Sequence, residues 1–163
     1  MNLQEPINDL VSNDSIEHTD KESKIEDTSI VMPFMETSWT PRVRGSNVAG
    51  TINLGLARGQ CYSVGRHRFI LIHLTVASIT GNPTGNLQVT GIPFTPVYGT
   101  PLTLGITSFM SLNLSNRYVT PVIHPNGVID FMSNGSGAEV GVNINSLHQF
   151  ATIQLAGSFI SSI

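Results

Sequence analysis

The chain has 163 residues, 40% of them hydrophobic and 12% charged, with a formal net charge of -3, five histidines and one cysteine. That is enough apolar material for one domain with its own core. The lone Cys61 excludes an internal disulfide, no stretch reaches the roughly 20 apolar residues of a spanning helix, and the N-terminus lacks the basic start and apolar run of a secretory leader. Cytoplasmic synthesis without membrane insertion is therefore expected, and the sequons at Asn13, Asn113 and Asn134 read as chance matches.

The charge is unevenly placed. Residues 1–30 carry eight acids against Lys21 and Lys24, a balance of -6. The remainder sets Glu36, Asp130 and Glu139 against six arginines and no lysine, a balance of +3. Such blocks mark an acidic arm, here residues 1–35, joined to a folded body, residues 36–163. Within the arm Leu3, Ile7, Leu10 and Val11 fall at helical spacing just after Pro6, and the rest is too polar to bury itself. Ordering thirty residues costs roughly 30 to 60 kcal/mol of backbone entropy. The seven aliphatic side chains Leu3, Ile7, Leu10, Val11, Ile16, Ile25 and Ile30 return at most about 1.5 to 3 kcal/mol each. An ordered arm, extended or partly helical, thus requires a partner's surface, and these seven residues are its candidate anchors.

From about Pro33 onward the chain holds all 15 glycines and eight of the nine prolines, spaced between short runs of Val, Ile, Leu, Phe and Thr. This is a β composition, and no segment keeps helical spacing over three turns without meeting Gly or Pro. Strands are expected near 48–54, 59–64, 67–78, 86–91, 102–106, 108–114, 117–123, 127–132, 139–144 and 150–160, the spacing of an antiparallel sandwich or barrel. Alternation assigns core faces to Ile70, Ile72, Leu74 and Val76, to Met110, Leu112 and Leu114, and to Val140, Val142 and Ile144, with Asn143 and Asn145 turned to solvent. Turns are expected at Thr80-Gly81-Asn82-Pro83, His124-Pro125-Asn126-Gly127 and residues 133–137.

The run Phe69-Ile70-Leu71-Ile72-His73-Leu74-Thr75-Val76 is unusual because both alternating faces are largely apolar. A membrane cannot cover the second face, since the run is too short and contains His73. Either a thick sandwich encloses both faces or another protein surface covers one.

Chemistry-bearing patterns are few. The five histidines, His18, His67, His73, His124 and His148, include no pair at zinc-site spacing. His67 and His73 share a strand face but lie about 20 Å apart at strand rise, so no metal or other cofactor is expected. A hydrolase elbow and a phosphate-cradling loop are absent, and paired carboxylates would have to come from Glu36, Asp130 and Glu139. Asp130 and Glu139 could meet only across adjacent strands. Arg58, Arg66 and Arg68 lie near His67 and Tyr62, but the basic excess is too small for a nucleic-acid surface and fits carboxylates on a protein partner better. The chain reads as a non-enzyme.

Several segments together resemble a known family. They are "WTPRVRG" (39–45) ahead of the first strands, "GQCYSVGRHRFILIHLTV" (59–76), "GNLQVTGIPF" (85–94) and the closing "IQLAGSFISSI" (153–163). The ensemble is similar to the small jelly-roll domains of tailed-bacteriophage virion proteins, found in tail-fibre and tailspike tips and in capsid decoration proteins. In the most specific segment Leu87 and Val89 face inward, Gly91 permits a bend, Pro93 ends ladder pairing, Phe94 plugs the sandwich end, and Ile92 replaces the family's usual leucine.

The resemblance implies an all-β antiparallel jelly-roll sandwich that forms homotrimers, with Phe69, Leu71 and His73 at the trimer interface. It implies a virion location, foremost the capsid exterior, where a decoration (cement) protein would bind the major capsid protein through its arm. The alternative is the tip of a tail or head fibre that recognises host glycan through loops 80–86, 95–101 and 133–138. A free lectin-like accessory domain is a third and weaker reading. Neither nucleic acid nor membrane is expected as a partner.

Overall fold

The computed structural model describes residues 34–105, 108–110, 118–134 and 139–162. The anchors Leu3, Ile7, Leu10, Val11, Ile16, Ile25 and Ile30, the side chains of Met110, Leu112 and Leu114, and the tip of the 133–138 loop lie outside the described residues. Among the described residues twelve strands form two antiparallel sheets. The first has the order β1 (Phe34–Trp39), β3 (Thr51–Val64), β4 (His67–Thr80), β12 (Leu147–Ile160), β7 (Thr103–Leu104), with β8 (Ser108–Met110) also pairing β12. The second has the order β2 (Arg42–Gly45), β5 (Leu87–Thr90), β10 (Ile129–Asn134), β9 (Tyr118–Ile123), β6 (Thr100–Pro101), with β11 (Glu139–Gly141) also pairing β10.

One core joins the sheets. The first contributes Cys61, Ile70, Ile72, Leu74, Val76, Ala151, Ile153, Leu155 and Phe159. The second contributes Val43, Leu87, Val89, Ile123, Ile129, Phe131 and Val142. Most are β-branched or aromatic and sit at alternate positions, so the pleat carries each set to one face. The expected inward faces of β4 and β5 are present, and Gly91 makes its bend at φ 84°. Phe94 packs against the core edge, edge-on to Trp39 at 6.3 Å, with the Arg68 guanidinium 5.3 Å over its ring.

Other expectations need correction. The "WTPRVRG" segment does not precede the first strands; it closes β1 and supplies β2. Both are edge strands, and β2 has Val43 as its one apolar side chain, because edge positions need little hydrophobic signal. The separate strands near 48–54 and 59–64 are one, because paired irregularities near Gly55 and Ala77 let β3 and β4 run on together. The strand expected over 102–106 is interrupted: β6 pairs into the second sheet and β7 into the first, so the chain crosses between them there. The strand expected over 139–144 stops at Gly141, and a 3-10 turn over Ile144–Ser146 follows, its first amide end capped by Asn143. Val140 is consequently 55% exposed rather than part of the core, while Val142 and Ile144 are buried.

Two features set testable stabilities. Leu74 is fully buried between β3 and β12, so Leu74→Ala should cost about 2 to 5 kcal/mol in urea unfolding. The ring of Trp39 lies where a Gly59 side chain would be, 2.2 Å from the position of an added Cβ. Gly59→Ala should therefore destabilise by about 1 to 3 kcal/mol and shift the emission of Trp39, the single tryptophan.

Burial pushes the Cys61 thiol above its ordinary pKa, with the Ser63 hydroxyl, the Arg68 charge and the Phe69 backbone pulling more weakly downward. Thiolate is scarce at neutral pH and the sulfur is covered. Maleimide labelling of Cys61 should be negligible in buffer and become rapid only across the unfolding transition.

Candidate assembly face

Because β4 is the middle strand of the first sheet, its outer side chains lie at the centre of that sheet's outer face. Register places them in rows. Tyr62, Phe69 and Ser158 stand side by side on β3, β4 and β12, with Glu36 of β1 at the row's end. The next row is Ser38, Gln60, Leu71, Ala156 and Thr103, and the one after is Arg58, His73 and Gln154. Phe69, Leu71 and His73 are thus brought together as expected, stacked along one strand at alternate positions.

The face is open in the single chain. Phe69 is 50% exposed, Leu71 47%, Ile160 49% and Leu56 40%, whereas their strand neighbours Ile70 and Ile72 are at most 2% exposed. Among the described residues the second sheet covers only the inner face of the first, so they do not enclose both faces of β4. Leu56, Ala156 and Ile160 were not singled out in the sequence, yet they extend the apolar patch. Only the pairing of β3 and β12 with β4 reveals them, because alternation identifies a face without saying which strands share it.

Polar groups rim the patch. Arg58, Gln60, His73, Thr103 and Gln154 surround a depression of about 360 Å³ with Leu71 and Ala156 in its lining. Gln60 Nε2 donates to Glu36 Oε1 at 3.3 Å, and Gln154 Nε2 lies 3.5 Å from His73 Nε2. Contiguous apolar surface with a polar rim is the usual signature of a protein contact.

The register also locates the candidate acids. The backbone register sets Glu139 opposite Asn134, four residues along β10 from Asp130, about 13 Å at strand rise. Asp130 instead accepts from Gln88 Nε2 at 2.9 Å and sits 3.2 Å from His124 Nε2. Arg66 Nε donates to the Ser161 carbonyl at 3.1 Å and Arg68 to that of Gly65 at 2.6 Å. These two arginines cap the end of the sandwich rather than form a basic patch. Among the described residues no group of three His, Cys, Asp or Glu side chains could hold a metal ion.

Of the three loops expected to reach a ligand, 80–86 buries Pro83 and borders a depression of about 380 Å³ shared with Ile144 and Leu147. Loop 95–101 projects Tyr98, 78% exposed.

No family model matches the sequence, and no curated protein does. Among solved structures, the fold is similar to part of the Dettilon tailspike protein, at a TM-score of 0.67 and 18% identity. The similarity covers 79% of this chain and 24% of that one, so the two share a sandwich that is a small part of the tailspike.

Proposed function

We propose that the chain is a non-enzymatic structural protein of a tailed-bacteriophage virion, a jelly-roll module that works as a homotrimer closed through the outer face of β4. The observation that carries this reading is the open apolar row of Phe69 and Leu71 on the central strand, in a sandwich shared with a tailspike protein. Three copies of that face around one axis leave no copy of the patch in water. Covering Phe69 and Leu71 contributes about 1.5 to 3 kcal/mol for each side chain at full burial. The acidic arm supplies attachment through its seven aliphatic residues.

Two sites of attachment fit this module. As a decoration protein it would sit on the capsid exterior, with the arm holding the major capsid protein. As a fibre or spike tip the arm would seat in a tail protein and the sandwich would meet host glycan. The likeness to a tailspike favours the second reading, and the arm fits both.

Copy number separates them. Quantitative gels of purified virions should give hundreds of copies for decoration and at most a few tens for a tip. Deleting residues 1–30 should leave a folded trimer that no longer attaches to particles; attachment of the truncated chain would contradict the role of the arm.

A further inference from the structure

The outer face of the first sheet differs from one end to the other. Its three rows hold one carboxylate and one guanidinium, and these stand in different rows: Glu36 with Tyr62, Phe69 and Ser158, and Arg58 with His73 and Gln154. Four residues of β3 separate Tyr62, which is opposite Glu36, from Arg58, about 13 Å at strand rise, and the row of Gln60 and Leu71 lies between. The two charges form no ion pair with each other among the described residues. Arg58 is exposed and has no hydrogen-bond or ion-pair partner among those residues. Glu36 is exposed as well and accepts from Gln60 Nε2 through Oε1, which leaves Oε2 open.

Shape divides along the same line. Phe69, half exposed, projects from the Glu36 row. The depression of about 360 Å³ opens at the other row, lined by Arg58, His73 and Gln154 together with Leu71 and Ala156, and Phe69 is not part of its wall. One half of the face therefore carries an apolar ring beside a negative charge. The other half carries a hollow beside a positive charge, so the face is complementary to a second copy of itself placed head to tail.

We propose that the Glu36 and Phe69 row of one copy docks on the Arg58 and His73 row of the next, with Phe69 seated in the depression and Glu36 paired with Arg58. This contact rests on the homotrimer reading and supplies its register. The planar guanidinium and the carboxylate suit a two-bond, charge-assisted pair. Repeated about a threefold axis, a head-to-tail contact lets every copy insert one half and receive with the other, so neither a ring nor a charge is left over in the closed ring. Docking like rows on like would set Glu36 against Glu36 or Arg58 against Arg58, and that repulsion disfavours the other registers.

The test is a charge swap in the full chain, read by sedimentation equilibrium at micromolar concentrations. Glu36→Arg and Arg58→Glu should each weaken association by about tenfold or more per contact, and the chain carrying both changes should regain the assembly of the natural protein. Both side chains are exposed, and recovery in the double variant shows that the single changes act through the contact and not through folding. A natural assembly that neither reversal weakens, or one that the double swap fails to restore, overturns the ion pair and leaves assembly through Phe69 and Leu71 standing. Recovery at twice the chain mass keeps the pair and overturns threefold closure. A natural protein that sediments as one chain overturns the homotrimer reading and this contact with it.

Discussion

Everything in this molecule turns on β4, a strand whose two faces are both apolar but have different fates. Its even-numbered residues Ile70, Ile72, Leu74 and Val76 are sealed against the second sheet, and this burial holds the sandwich together. Its odd-numbered residues Phe69 and Leu71 face away from that core and remain half exposed. A strand at a sheet's edge could twist or bend to hide such residues. A central strand hydrogen-bonded on both sides cannot, so among the described residues the second apolar face stays open, which is the ground for the proposed assembly.

The remaining polar and titratable side chains are mostly engaged in local structure. The few body carboxylates are separated, and Asp130 is tied into a cross-strand network. The buried Cys61 is a core residue whose thiol is held protonated. Arg66 and Arg68 close the sandwich end by bonding to backbone carbonyls, and Arg68 also covers Phe94. The two outer faces differ in composition, with apolar side chains on the first sheet and the polar row from Gln88 through Asp130 to His124 on the second.

Much of the fold was legible in the sequence where burial is periodic. The alternation of β4 and β5 gave their inward faces because a pleated strand with one buried side leaves a period-2 record. The turns at Gly81 and Gly127 were legible because their positive φ values, 71° and 73°, favour glycine. The edge strands β1 and β2 were not, since they bury little and their pairing is set by tertiary neighbours. Val140 was misassigned for a related reason: the alternation continues in sequence, but the strand ends at Gly141 and the 3-10 turn resets the facing. Of the assembly face, the β4 residues could be read directly. Leu56, Ala156 and Ile160 could not, because membership depends on strand order, which no local pattern encodes.

The most direct test of the central claim is the mass of the full-length chain in solution by sedimentation equilibrium, with Leu71→Glu as the comparison. A closed threefold assembly predicts three times the 17.6 kDa chain mass for the natural protein and a folded single chain for the variant. A natural protein that sediments as one chain across micromolar concentrations would contradict the account.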